Sequence, residues 1–561
     1  MKKHIALIIG PVIPTIFRAR YTRELWASSY MFSYLMKKII GKLRTEKEIH
    51  FILPFAQGEE SESFFRDYDE NYELLKKEKD DTKRKLLERH LLGAGLFPDQ
   101  FILQTDKTDG YTTVKEIVRH EIVSFARKTA AKINPNIPDN TEQEKFEAKV
   151  ISWFKAFFRI YLIERDLEDD QNPIEEMTRS LAICELREIF PLQEEDFLSD
   201  LLEQSPGSFL ATEAFGGRRS FDTLLEVAVR DFEDNLGVQN FQHNREHFWK
   251  LTRAERKKAE EQDEKLIINT LSEKYTAAFR PAHKYVAIVH ADGDGVGALI
   301  KGLKTSEQFA HFSKTLKMFA LEAVERIKTY GGVPVYAGGD DLLFFAPAVR
   351  DSLGSNIFHL LEDLNQCLKT HFKDFSVIPT LSFGVSISFY KFPLYEALET
   401  SRDLLFQKAK QYKPRNAIAF KVRKHSGHEF GALLPMQSAP GEDAGKKTVF
   451  RLFMDMLKDN IQNPDRTLSS INYHIRSNAG VYHQIGMDAE RVENFVSNCF
   501  DESVHTDEDA QQYLGDIKTL LPAVFKLQQG DPDKAANMMY ALLRTADFLT
   551  QNEPTSKYGN P

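Results

Sequence analysis

Apolar positions along the chain change their period several times, and those changes divide it into blocks. Within about 1–125, apolar runs of strand length (HIALIIG, IHFILPF, FILQT) alternate with helix-like stretches such as ELWASSYMFSYLMKKIIGKL, an α+β pattern. From about 126 to 250 the period is mostly helical, and KVISWFKAFFRIYLIERDLEDD reads as an amphipathic helix. LTRAERKKAEEQDEKL (Leu251 to Leu266) is nearly all charge, which predicts a solvated helix or a connector.

The pattern then returns to strands. YVAIVHA (Tyr285 to Ala291) is a continuous apolar run bounded by DGDG, as expected of a strand buried on both faces. A helix (about 307–329), the hairpin VPVYAGGDDLLFF, a helix (about 351–371), the strand TLSFGVSISF and the helix LYEALETSRDLLFQKAKQ follow. This β-α-β-β-α-β order is the ferredoxin-like or palm arrangement. After about Ser426 a Gly- and charge-rich loop leads to a largely helical region, and the tail QNEPTSKYGNP reads as disordered. The expected class is thus α+β multidomain: an α+β block over 1–125, a helical region with charged connector over 126–280, a palm over 281–425 and helices over 426–561. The two α+β blocks are candidates for a diverged duplication.

Composition narrows the picture. With 561 residues the chain exceeds one core, and no apolar run approaches the roughly 18 residues of a membrane helix. Three scattered cysteines (Cys184, Cys367, Cys499) support neither a disulfide framework nor a cysteine zinc site, so a reducing cytoplasm is the expected compartment. A net charge of −9 argues against indiscriminate nucleic-acid coating. The first 45 residues are nevertheless basic, Glu24 being their one acidic side chain before Glu46.

The candidate chemistry lies in the palm. Asp292 follows a buried strand, and ferredoxin-like topology places it beside the hairpin carrying Asp340 and Asp341. Three carboxylates so close repel one another unless a cation lies among them, and hard oxygen donors suit Mg2+ or Mn2+. Two such ions can activate a ribose hydroxyl and stabilise charge on an α-phosphate. Gly338 and Gly339 keep side chains clear of a substrate, and Gly293, Gly295 and Gly297 offer backbone N–H groups to phosphate. Asp294 is either a further ligand or a helix cap. Lys408 and Lys410 are each placed to meet a triphosphate, and His290 reads as a packed side chain. Other readings of DGDGVGA fit poorly. The GxGxxA match formed by Gly293, Gly295 and Ala298 lacks an acidic residue about 20 positions on, and a calcium loop fails at Val296 and Leu303. An ordinary acidic turn explains GGDD alone but not its pairing with Asp292.

With these residues assembled, the chain resembles the large palm-domain subunit of type III CRISPR effector complexes of the Cmr kind. The resemblance rests on the segments IIGPVIPTIFRARYTRELWASSYMFSYL, FPDQF (97–101), RRSFDTLLEVAV (218–229), YVAIVHADGDGVG, VYAGGDDLLFF and LSFGVSISFYKFPLYEALETSRDLLFQKAKQYKPRNAIAF. It implies two nucleotide cyclase-like palms, the first degenerate because IIGPV replaces HADGD. It further implies metal binding by Asp292, Asp340 and Asp341 with the backbone of Gly293, and nucleotide contacts from Gly293, Gly295, Gly338, Gly339, Ser382, Gly384, Lys410 and Asn416. Arg18, Arg20 and Arg23, near Trp26, would serve RNA or assembly contacts. The activity implied is RNA-activated transfer from ATP yielding cyclic oligoadenylate, or, in the alternative, joining of ATP to S-adenosylmethionine. A non-catalytic scaffold and a free-standing cyclic-dinucleotide synthase are the competing classes. Guide RNA, target RNA and small helical and backbone subunits are the implied partners. Relatives often carry an HD nuclease domain and a four-cysteine zinc site; the sequence has no His-Asp dipeptide and too few cysteines, so neither nuclease activity nor structural zinc is expected.

Overall fold

The computed structural model describes residues 2–58, 61–134, 140–186, 197–203, 209–215, 221–236, 253–276, 278–437, 447–462, 508–529 and 531–550, with isolated positions elsewhere. Cys499 and the tail after Thr550 lie outside the described residues, as do the first three residues of the 218–229 segment. The fold is mixed α/β and multidomain. Two sheets organise it: β1 (Lys2–Gly10), β2 (Ile49–Leu53), β3 (Gln100–Thr105) and β4 (Arg159–Leu167) form the first. The second holds β5 (Tyr285–Asp294), β6 (Val333–Gly338), β7 (Asp341–Pro347), β10 (Thr380–Phe389), β11 (Ala417–Arg423) and β12 (Glu429–Pro435), while β8 (Val349–Arg350) and β9 (Ser355–Asn356) pair only with each other.

Strand order shows how alike the two sheets are. The first runs β2-β3-β1-β4, and the second contains β10-β5-β7-β6. Numbered within each unit, both have the order 4-1-3-2 of a ferredoxin-like β-α-β-β-α-β repeat. Helices Thr22–Leu43 and Gly110–Ile133 make the crossovers in the first, and Ser306–Tyr330 and Ile357–His371 in the second.

Two expectations change. RIYLIERDL, taken as part of a long helix, is strand β4, and it pairs antiparallel with β1 from Lys2↔Leu167 to Gly10↔Arg159. The helix stops at Phe157 because the run from Ile160 to Ile163, rich in β-branched and aromatic residues, suits a half-buried strand once β1 offers an open edge. The first sheet therefore draws its fourth strand from the block assigned to helices. Similarly, the segment after Ser426 contributes the edge strand β12, paired with β11 from Ala417↔Pro435 to Arg423↔Glu429. Of the helices expected beyond it, Val449–Gln462, Glu508–Leu527 and Pro532–Thr550 are described.

The two units meet through backbone and buried charge. The Ala337 amide donates to the Gly95 carbonyl at 2.9 Å, and the Ser29 hydroxyl donates to the Val335 carbonyl at 3.2 Å. Lys317, 5% exposed, donates to the Leu96 carbonyl at 2.6 Å while its ammonium sits 4.2 Å from the Phe97 ring centre and 4.9 Å from that of Phe64. Burial, reinforced by Lys37, pulls the Lys317 pKa from 10.5 down to about 7.

That shift has a direct consequence. Between about pH 7 and 10.5 the unfolded chain binds the proton and the folded chain does not, so the penalty for burying Lys317 is full below pH 7 and fades as pH rises. Lys317→Met should therefore raise the melting temperature most at pH 6–7, with the advantage over the native chain shrinking toward pH 10; paired thermal melts across that range check it.

Candidate active site

Antiparallel register builds the site. β5 and β7 pair from Val286↔Pro347 to Ala291↔Leu342, so the next residues beyond that ladder are Asp292 and Asp341. β6 and β7 close with Gly338↔Asp341, which leaves Gly339 and Asp340 as a two-residue loop. Gly339 has φ 85°, the left-handed value that such a tight hairpin needs at its first loop position. The opposite neighbour, β10, sets Ser382 across from Asp292 and Thr380 across from Asp294.

Asp340 lies against the backbone of Gly293. A Cβ on Gly293 would overlap the Asp340 carboxylate and come within 2.8 Å of its Cβ, so a side chain there would expel Asp340 from the cleft. Burial and the charge of Asp292 raise the Asp340 carboxyl from 3.8 to about 6, with the Lys410 ammonium opposing. Burial, the Asp340 charge and a hydrogen bond with Asp292 likewise push Asp341 well up, although one side of Asp341 stays open to solvent. The three acids are brought to one edge, but their oxygens spread wider than one ion's shell: among the described residues, the one acid–His–Cys cluster within 4.8 Å lies elsewhere.

A single ammonium ties the strand end together. Lys410 Nζ donates to the Asp292 carbonyl at 2.9 Å, the Gly293 carbonyl at 2.7 Å and Asp294 Oδ1 at 2.8 Å, and it pairs with Asp292 Oδ2. Its placement comes from a π-helical turn, Leu404–Ala409, after which the Lys410 amide donates to the Leu405 carbonyl at 2.8 Å. Asp294 does not cap the helix that follows. Gly295 occupies the N-cap of the following helix without a side-chain bond, and Asp294 instead accepts from Ser382 Oγ at 2.6 Å and from the Asn416 amide at 3.0 Å. Arg415 and Asn416 adopt left-handed backbone (φ 76° and 52°), which aims that amide inward.

The other sequence-selected residues fall into place around this centre. Ser382 and Asn416 are fully buried and bonded within the cluster, the Asn416 side chain also meeting Asn365 and Gln437 at 3.0 Å each. Gly384 faces the helix that follows β10; a Cβ there would overlap the Ser401 carbonyl and the Leu405 amide. Gly338 packs against the Tyr336 ring, whereas Gly297 has open space beside it. His290 bonds Ser401 Oγ at 2.8 Å, and burial with Arg402 nearby lowers its pKa to about 3, so it is a neutral packed side chain. Lys408 stands within the π-helical turn. Arg23 is buried and pairs with Glu260 at 3.0 Å, and Trp26 donates to the Gly93 carbonyl at 2.8 Å, while Arg18 and Arg20 are exposed.

Sequence reasoning missed Asp99. It precedes β3, its carbonyl accepts from the Ile9 amide at 2.8 Å, and burial together with Glu185 raises its carboxyl to about 6. Its charge is felt by both Tyr336 and Asp341 of the second unit. The available signal was an acid directly before an apolar strand in FPDQF.

The donor set fits a divalent cation. Crowded carboxylates whose pKa values rise, all of them hard oxygen ligands, are stabilised by a doubly charged oxygen-seeking ion, and one ammonium does not neutralise them.

Comparison with known proteins agrees with this architecture. The family model described as "Cas10/Cmr2, second palm domain" matches residues 285–419, and "CRISPR-associated protein Cmr2, N-terminal" matches residues 4–134. The CRISPR system Cmr subunit Cmr2 of Pyrococcus furiosus is 25% identical over 302 residues, which cover 48% of this chain and 32% of that protein, so the chain spans about a third of the relative's length. In solved structures the fold is similar to a chain of type III-B Cmr-beta bound to cognate target RNA (TM-score 0.54, 12% identity, covering 92% of this chain and 78% of that one). It is equally similar to a chain of the apo state (TM-score 0.53, 11% identity, 92% and 77%). The two family matches fall one on each ferredoxin-like unit, so over those residues the chain is similar to Cas10/Cmr2 proteins.

Proposed function

We propose that this chain is the signalling subunit of an RNA-guided type III-B defence complex, in which pairing of guide RNA with target RNA activates nucleotidyl transfer from ATP to give cyclic oligoadenylate. The observation that carries the reading is the convergence of Asp292, Asp340 and Asp341 at one sheet edge, with two of the three carboxyls held above their ordinary pKa. Its partners on this reading are guide and target RNA and the small helical and backbone subunits, as the names of its relatives suggest. Exposed Arg18 and Arg20 supply a basic RNA or assembly contact, with Arg23 bracing that segment through Glu260. The first ferredoxin-like unit acts as a degenerate palm, since β1 ends in Gly10-Pro11 where β5 ends in acids.

Asp292, Asp340 and Asp341, with the Gly293 carbonyl, would hold Mg2+ or Mn2+, which when bound supplies a more acidic ribose hydroxyl and neutralises charge on the α-phosphate. The chain's own residues do the remaining work. Lys410 orients Asp292 through both its carboxylate and its carbonyl and offsets part of the negative charge. Asp294 holds Lys410, Ser382 and the Asn416 amide in one network, so these groups position the ligands from behind. The open space beside Gly297 leaves the nucleotide's path clear, and Lys410 reaches a phosphate only by releasing Asp292.

A second reading, joining of ATP to S-adenosylmethionine at the same acids, is favoured by Asp99. A buried carboxylate beside the hairpin suits a cationic acceptor better than a second triphosphate.

Two outcomes are expected. Protons compete with metal at Asp340 below its pKa of about 6 and also at Asp341, so Mn2+ affinity measured by electron paramagnetic resonance should rise with pH through about 6 and continue to rise above it; Asp340→Asn should remove the part of that rise near pH 6. Mass spectrometry of products from the complex with guide RNA, ATP and Mg2+, with and without target RNA and S-adenosylmethionine, should show product only with target RNA. Asp340→Ala/Asp341→Ala should reduce it by on the order of 10²–10³-fold or more. An oligoadenylate ladder from ATP alone identifies the first reading, and a product needing S-adenosylmethionine the second; product undiminished in the double variant, or none at all, favours a scaffold.

A further inference from the structure

On the helices behind the hairpin sheet, well apart from the palm acids in sequence, three side chains of different chemistry face one another. Glu322 projects from the Ser306–Tyr330 helix, and Cys367 and His371 lie one turn apart on the Ile357–His371 helix. One ligand atom from each lies within 4.8 Å of the other two, and His371 Nε2 is 3.0 Å from Glu322 Oε2. Cys367 is 2% exposed. The spacing Cys-x3-His puts sulfur and imidazole on one helical face, and the neighbouring helix adds the carboxylate.

The surroundings separate this cluster from an ordinary ion pair. Arg326 binds Glu322 through Oε1, at 2.6 and 3.1 Å, and extends to Asp363, while Oε2 is the oxygen turned toward His371. Arg89 stands off at 3.8 Å. One carboxylate oxygen is thus anchored by Arg326, and the other, with Arg89 nearby, faces the imidazole. The thiol is buried beside this carboxylate. A thiol pressed against a carboxylate is the arrangement in which a divalent cation replaces the shared proton. An open groove lined by Arg326, His359 and Asp363 borders the cluster on its Glu322 side.

We propose that Glu322, Cys367 and His371 form a second metal site, taking a zinc-like ion of mixed sulfur, nitrogen and oxygen preference in tetrahedral geometry with one position open to water. Zn–S of about 2.3 Å and Zn–N and Zn–O of about 2.0–2.2 Å require the three side chains to close in slightly, with the Cys367 proton released to solvent. The site pins together the two helices that make the palm's crossovers, one of which leads into β6 and the Asp340 hairpin. It differs from the four-cysteine zinc site that the sequence excludes, because one cysteine suffices here and the partners come from two helices.

Cobalt(II) tests the assignment on the full-length chain, stripped of metal with chelator and then supplied with excess Mg2+ to occupy hard oxygen sites. The expected result is a saturable thiolate-to-cobalt charge-transfer band at one equivalent, displaced by Zn2+ and lost in Cys367→Ser. His371→Asn alters a partly exposed side chain and should keep the fold, yet weaken cobalt binding by about tenfold or more. No band in the native chain, a band undiminished in Cys367→Ser, or native-like affinity in His371→Asn would each overturn the proposal.

Discussion

Mutual repulsion among the acids at the end of β5 is the constraint around which this molecule is arranged. Asp292, Asp294, Asp340 and Asp341 meet at one sheet edge, and among the described residues Lys410 is the ammonium bonded to them. Asp294 is neutralised by that lysine and two further donors, which leaves the hairpin acids uncompensated. The fold sustains the strain through features that have little other purpose: a glycine at 293 that leaves room for Asp340, a left-handed glycine at 339, and a π-helical turn that delivers Lys410. Hard oxygen donors crowded in this way suit a divalent cation.

The two ferredoxin-like units share strand order but not chemistry. Where β5 ends in acids, β1 ends in glycine and proline, and the charge of Asp99 in the first unit is felt by Asp341 of the second. Contact between Gly95 and Ala337, with Lys317 buried alongside, fixes that carboxylate relative to the hairpin. The first unit therefore borders the site without contributing the acids at its sheet edge.

Much of this was legible in the sequence. The buried strand at Tyr285–Ala291, the GGDD hairpin and the strand from Thr380 announce themselves by length and by glycine, because a strand buried on both faces needs no partner to be recognised. β4 and β12 are edge strands whose mixed polarity becomes strand only through pairing, so RIYLIERDL blended into the preceding helix. Asp292, Asp340 and Asp341 were found from topology, whereas the role of Asp294 depended on the turn at Arg415 and Asn416, which no local pattern reveals. Asp99 and the Glu322–Cys367–His371 cluster join segments far apart in the chain, and spacing rules read only residues close together.

The most direct test of the central claim is anomalous diffraction at the manganese edge from the chain soaked with Mn2+ and a non-hydrolysable ATP analogue. The account predicts manganese coordinated by Asp292 and the hairpin acids, with the α-phosphate beside it and the carboxylates drawn inward from their present spread. Nucleotide bound without metal at these residues, or manganese settled away from them, would contradict it.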